Sequence, residues 1–417
     1  MRPLRFCMVT TFYPPAHFGG DALFVESLSR ALVEDGHHVE VVHCLDAYRI
    51  LAPKHPAVPP PTKHPHLVVH RLQSPLGLLS PLITNQIGHP FLQRHRLRQI
   101  LDRGFDVIHY HNVSLVGGPA VLRYGTGLKL YTTHEFWLVC PMHILHKFNQ
   151  RPCERPECLR CSLSFHRPPQ WWRYSGLLSR AARAVDMYIS PSRFCMDKHR
   201  ELGWTGPFVR LPNFVARTEC REEAPQSPSI RPYFLFVGRL EKIKGLQTVI
   251  PLFQDFPGAE LWIVGRGSYE AKLRRLAGSA SNIRFLGYHS RDSLQGLYRG
   301  AIALLVPSLC YEVFGNVILE AFQQGTPVIA RDLGGMKEIV DESKGGLLFR
   351  NDDELVRTRQ LLLDDSSLRT RLGHCGQEAC TRIYSKEAHL ARYYELIEQC
   401  QVRRKTMSGL DAAKRTT

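Results

Sequence analysis

The 417-residue sequence contains no run of about 18 apolar residues, so it offers no candidate transmembrane helix. Cysteine is sparse: twelve residues are far below the density of a secreted disulfide scaffold, and eight of them are scattered as buried thiols would be. There is no Asp-x-Asp, so no paired-carboxylate metal site of that kind is offered, and no metal is expected to be required for chemistry. No RNA-binding signature and no useful interleaving of aromatic and basic residues occurs, which leaves little support for a nucleic-acid-binding protein. The opening stretch, MRPLRFCMVTTFYPPAHFGG, has an apolar part too short for a secretory leader and runs straight into Pro-Pro and Gly-Gly. It reads as a first strand, and a cytoplasmic location is expected.

Acidic charge is also scarce. The formal net charge is +16, and residues 1–200 hold 24 Lys and Arg against 13 Asp and Glu. Such a surplus suits an anionic partner, whether a phosphate-bearing substrate, an anionic lipid surface or nucleic acid; it also describes an ordinary solvated surface.

Short apolar strands alternate with helical periods, and they do so twice. The first set is RFCMVTTFY (5–13), HHVEVVHC (37–44), FDVIHYHN, LKLYTTHE and VDMYISPS. The second set is YFLFVGRL (233–240), ELWIVGRG (260–267), IRFLGY (283–288), AIALLVPS (301–308) and PVIARD (327–332). This pattern predicts an α/β chain of two doubly wound, Rossmann-like domains facing across a cleft. The expected division is 1–215 for the first domain, 216–231 for a linker rich in charge, Ser and Pro, and 232–385 for the second. Residues 53–66 read as a Pro/His-rich surface loop, 386–401 as a last helix and 402–417 as a disordered tail.

The stretch SLCYEVFGNVILEAFQQGTPVIA (308–330) places two carboxylates in otherwise apolar sequence. In a doubly wound sheet, the turn after a strand meets ligands at the amino end of the next helix. Gly315, Asn316 and Val317 there offer unpaired backbone N–H groups to a diphosphate. Glu312 and Glu320, on either side, can accept hydrogen bonds from hydroxyls flanking the anion. Upstream, VGRLEKIKG (237–245) sets Arg239 and Lys244 where both reach a diphosphate. Gly19 and Gly20, in FYPPAHFGG, let backbone approach a ligand at the first strand–helix turn.

Taken in order, FYPP…GG, GRLEKIKG, VGRG, FLGY and E-VFGNVIL-E…GTPVIA…GG resemble the retaining nucleotide-sugar glycosyltransferases of the GT-B fold, family 4, over about residues 4–400. The resemblance implies that Arg239 and Lys244 bind the donor diphosphate and that Glu312 holds sugar hydroxyls. It further implies that Glu320 binds the ribose and that Gly19 and Gly20 line the phosphates from the opposite domain. His134, in YTTHE, matches the family's histidine near the reacting sugar, and the last helix is expected to cross back to the first domain. A nucleotide-diphosphate sugar would be the donor; a carbohydrate, lipid-linked or small molecule would be the acceptor. On the same architecture a nucleotide-sugar epimerase or a phosphorylase-like enzyme are the competing chemistries.

Two features depart from a generic member. Cys140, Cys153, Cys158 and Cys161 crowd into a short segment ending in Cys-x-x-Cys, which could ligate structural zinc or an iron–sulfur cluster or simply be reduced thiols in a folded loop. WWRYSGLLSRAARAV (171–185) reads as an amphipathic helix headed by paired tryptophans, suited either to a membrane interface or to packing on the sheet.

Overall fold

The computed structural model describes residues 2–52, 58, 59, 64–216 and 231–415, with side chains described to residue 406. Most of the expected linker therefore lies outside the described residues, as does much of the 53–66 loop.

In the first domain the strands are β1 (Arg5–Val9), β2 (His38–Cys44), β3 (Leu67–Leu72), β4 (Val107–Tyr110) and β5 (Leu128–Thr132). A small hairpin follows, β6 (His146–Lys147) and β7 (Arg151–Pro152), and then β8 (Met187–Ser190) and β9 (Phe208–Arg210). The second domain holds β10 (Tyr233–Val237), β11 (Glu260–Val264), β12 (Ile283–Gly287), β13 (Leu304–Val306), β14 (Val328–Arg331) and β15 (Gly346–Phe349). The two main sheets run β3-β2-β1-β4-β5-β8-β9 and β12-β11-β10-β13-β14-β15, and every pair within them is parallel. Each order reverses beside its first strand, at β1/β4 and β10/β13. Those are the switch points where a doubly wound sheet opens a crevice at its carboxyl edge.

Helices cover both faces because the central strands are apolar on both. Phe6, Met8 and Val41 pack toward the first helix, Gly20–Glu34, while Cys7, Val9 and Val42 join the opposite core. The last helix, Lys386–Arg415, packs on the first domain: Leu390, Tyr393, Leu396 and Ile397 are buried with Phe6, Met8 and Leu28. It does not stop at residue 401. Its sequence beyond that point is rich in helix formers, Arg404 pairs with Asp186 at 3.5 Å, and the helical backbone continues to Arg415.

Strand limits are tighter than the apolar runs. The 5–13 stretch ends as a strand at Val9, ahead of a Pro14-Pro15 turn that cannot donate to a ladder. The 171–185 helix is also cut down. A 3₁₀ turn, Trp171–Tyr174, gives way at Gly176, whose φ of 71° breaks the helical path, and only Leu177–Ala182 is α-helical. The paired tryptophans part company there: Trp172 is buried and Trp171 is 65% exposed.

Candidate active site

The second domain builds its half of the site from two loops at the β10/β13 switch point. Gly265 (φ 136°) lies so close to Gly238 that a Cβ on it would stand 1.9 Å from the Gly238 carbonyl oxygen. That closeness brings the ends of β10 and β11 together. The 239–245 loop then lies on the chain after β13: Leu309 N–H donates to the Ile243 carbonyl at 2.7 Å, and a Cβ on Gly245 would meet the Pro307 oxygen at 2.0 Å. Only glycine permits this approach.

The docking of the loops carries Lys244 to Glu312. Lys244 Nζ donates to Glu312 Oε1 at 2.6 Å, and Ser308 Oγ donates to the same oxygen at 2.8 Å. Both side chains are largely buried, at 23% and 21% exposure. Burial pushes the Glu312 carboxyl up, but Lys244, Ser308 and Arg239 outweigh it and hold the group below its ordinary 4.5. Burial likewise lowers the Lys244 ammonium, and Glu312 more than restores it, to above 10.5. The pair is charged on both sides. Arg239 stands at the rim, 54% exposed, with its guanidinium on Glu241 at 3.0 Å.

Gly334 and Gly335 brace the turn that holds Glu312 from beneath. Gly335 N–H donates to the Glu312 carbonyl at 2.8 Å, and a Cβ there would stand 2.3 Å from the Val313 oxygen. The helix Asn316–Gln323 begins at Gly315, whose φ is 121°, so its first N–H groups point out of the turn. Glu320, one turn on, accepts from the Tyr298 hydroxyl at 2.9 Å. Burial raises its carboxyl, with Arg291 and Tyr298 acting against the rise.

The two domains meet beside the Asn316–Gln323 helix. Asn316 Nδ2 donates to the Gly20 carbonyl at 3.2 Å, and Asn213 Nδ2 donates to Asn316 Oδ1 at 3.2 Å. A Cβ on Gly20 would come 3.0 Å from Asn316 Nδ2, so a small residue keeps this junction open. Gly19, extended at φ −163°, precedes the first helix as its cap residue. His134 follows β5 in the first domain, packs edge-on against Phe24 at 5.4 Å and shares a 2.9 Å hydrogen bond from its Nε2 to His111 Nδ1. Burial pulls its imidazole down to about 4, with Asp21 opposing, so the ring is neutral at neutral pH.

Ser308, Asn213, His111 and the Gly334-Gly335 pair are supporting residues that motif reading did not assign. Only the glycine pair left a trace in the sequence, as a repeated Gly after a strand. The cysteine segment is a third finding. Cys140, Cys153, Cys158 and Cys161 all line one cavity of about 20 Å³. Among the described residues, no three His, Cys, Asp or Glu side chains are already gathered as a coordination group. A larger groove of about 1100 Å³ lies between Pro207, Phe208 and the last helix, at the amino ends of β8 and β9. That is the edge opposite the one at which doubly wound sheets bind ligands.

Comparison with known proteins agrees with this fold. The model for glycosyl transferases group 1 matches residues 220–379, and that for glycosyltransferase family 4 matches residues 18–219. The chain is a group 1 glycosyltransferase of the GT-B fold. Among its relatives, the lipopolysaccharide core biosynthesis glycosyltransferase LpsE of Rhizobium meliloti (strain 1021) is 29% identical over 223 residues, 52% of this chain and 65% of that one. Sucrose-phosphate synthase from Thermosynechococcus elongatus superposes with a TM-score of 0.72 at 22% identity, covering 96% of this glycosyltransferase and all of the other chain. Anabaena Alr3699/HepE, solved in complex with UDP-glucose, gives 0.69 at 18% identity over 95% of this chain and 100% of its own.

Proposed function

We propose that this glycosyltransferase moves a sugar, with retention of configuration, from a nucleoside diphosphate sugar to an acceptor held against the first domain. The observation that carries the proposal is the charged, largely buried Lys244–Glu312 pair beside the open amino end of the Asn316–Gln323 helix. Lys244, the rim cation Arg239 and the amides of Asn316 and Val317 take the diphosphate. Glu312 accepts hydrogen bonds from donor-sugar hydroxyls, and Glu320 from the ribose. Gly19 and Gly20 let backbone close over the phosphates from the other side.

The chemistry follows from where charge develops. The bond from the anomeric carbon to the phosphate oxygen breaks, and the acceptor oxygen bonds to that carbon on the same face. The acceptor's proton passes to the departing phosphate. Fixed cations and helix-end amides in a water-poor cleft stabilise the leaving diphosphate far more than they would in water. Neutral His134 can donate or accept a hydrogen bond beside the sugar without adding charge. Relatives point to the same donor class: HepE is solved with UDP-glucose.

A lipid-surface acceptor is favoured by one further observation. The helix Leu79–Ile87 exposes Leu79, Leu82 and Ile87 beside exposed Trp171 and Tyr174, the two segments being joined where Trp172 Nε1 donates to the Asn85 carbonyl at 2.8 Å. Phe91 and the exposed Arg94, Arg96 and Arg98 follow directly. An apolar patch beside arginines fits the headgroup region of an anionic bilayer. Among the described residues no helix is long and apolar enough to cross a membrane.

Incubation with UDP-, GDP- and ADP-sugars, read as release of nucleoside diphosphate, tests the donor assignment. One donor class should be hydrolysed slowly by the intact protein and not by Lys244→Ala. Conversion of a donor to its isomer without acceptor would overturn the transferase reading, as would failure of every donor to bind. For the surface, sedimentation with phosphatidylglycerol vesicles should be lost in Phe91→Ala/Trp171→Ala and with phosphatidylcholine. Equal binding by the double variant would remove the patch from the account.

A further inference from the structure

We propose that Cys140, Cys153, Cys158 and Cys161 bind a single zinc ion as four thiolates, forming a structural knuckle wedged between the first domain and the donor loops. The site stands apart from the transfer chemistry and does not depend on the function proposed above.

Four observations converge on it. All four cysteines are free thiols and all four line the same small cavity. Its volume of about 20 Å³ is enough to admit one ion. One sulfur already receives a backbone N–H group: Phe148 N–H donates to Cys161 Sγ at 3.4 Å. Such a donor disperses charge on a metal-bound thiolate and holds the ligand in place. The chain between the first two cysteines is bent by non-glycine residues at positive φ, namely His143 (70°), Leu145 (45°), Phe148 (55°) and Asn149 (56°). The regular structure that holds this loop is short, the two-residue strands β6 and β7, with Leu145 buried beside Phe136 and Cys140.

Ligation requires the four side chains to turn into the cavity they line. Four Zn–S bonds then form, and the displaced thiol protons pass to solvent. The chemistry of the set suits zinc, which in structural sites takes four soft thiolate ligands in a closed tetrahedral shell.

The knuckle touches the donor side at two points. Lys242 Nζ, in the loop that bears Lys244, donates to the Asn149 carbonyl at 3.2 Å. Cys153 packs in one cluster with Tyr311 and Val313, the neighbours of Glu312. An ion that fixes the knuckle therefore fixes a support for both donor loops.

The test uses the full chain purified without a histidine tag. Elemental analysis should give one zinc per chain, released when a mercurial reagent titrates the thiols. Cobalt exchanged for zinc should show the strong visible bands of a tetrahedral thiolate site. Cys158→Ser should lose most of the zinc and lower the melting temperature, whereas Cys375→Ser, in the second domain, should keep both. If Cys158→Ser does not fold, the cobalt spectrum of the intact chain decides. Folded protein with no metal and four freely titrating thiols would overturn the proposal. So would iron with acid-labile sulfide in place of zinc, or a mass showing disulfides among the four.

Discussion

At Glu312 burial and charge act in opposite directions. Removal from water favours the neutral acid, while Lys244 at 2.6 Å, Ser308 at 2.8 Å and the more distant Arg239 favour the carboxylate, and the carboxylate wins. The pair therefore stays ionised across the neutral range, and no pH dependence of activity between about 6 and 9 should originate in it. Glu312→Gln and Lys244→Ala should each lower kcat/KM by about 100-fold or more, the scale seen when one preorganised electrostatic partner is removed. Circular dichroism of both variants should match the parent; an active variant would break the assignment. The histidines make the opposite case. His134, His389 and His199 are pulled to about 4 by burial, and His109 and His111 lie well below 6.5 for the same reason. In the unfolded chain they would bind protons near 6.5, so the unfolded state holds more protons between the two values and stability is lost there as the pH is lowered. Denaturant midpoints should be flat above about pH 6.5 and drop steadily from there to about pH 4, and a midpoint insensitive to pH in that window would contradict the burial of this cluster. His111→Ala, which leaves His134 without its 2.9 Å partner, should cost about tenfold in kcat with little change in KM for donor.

At the scale of elements, the last helix shows how the chain makes two domains into one unit. It leaves the second domain and buries Tyr393 completely under the first sheet, where its hydroxyl shares a 2.9 Å hydrogen bond with His109 Nδ1. Tyr393→Ala removes a fully buried ring and should destabilise the protein by about 3–5 kcal/mol in equilibrium unfolding. A loss below about 1 kcal/mol would mean that the helix is only loosely docked. The parallel strands at the centre of each sheet were legible because they are apolar on both faces, as YFLFV and ELWIV show. Of the four edge strands, β12 was legible as IRFLGY and the other three were not. LVVHRL of β3 carries His70 and Arg71, and β9 and β15 are three and four residues long, too short and too half-buried to register as a pattern. The shortened helix after Trp171 was misjudged for a comparable reason: periodicity continues through Gly176, but its backbone does not.

For the whole molecule, the motif residues were legible but their partners were not. Lys244, Glu312 and Gly20 can be picked out by type and position after a strand. The contacts Asn316–Gly20, Asn213–Asn316 and Ser192–Val313 join residues far apart in sequence, and no local pattern encodes them. The same is true of Glu338, which accepts N–H groups from Arg193 at 3.0 Å and Phe194 at 3.2 Å and pairs with Arg210 at 2.6 Å across the domain boundary. Glu338→Ala should leave both domains folded but loosen their docking, read as a larger radius of gyration in solution scattering and a raised KM for donor. Unchanged scattering would show that the clamp is dispensable. The most direct measurement is a crystal structure with a nucleoside diphosphate bound, using whichever of UDP, GDP or ADP binds best. The diphosphate is expected within hydrogen-bonding reach of Lys244 Nζ and the amides of Asn316 and Val317, with the ribose at Glu320. A nucleotide seated instead at the amino edge, in the groove by Phe208 and Glu395, would contradict the site proposed for this protein.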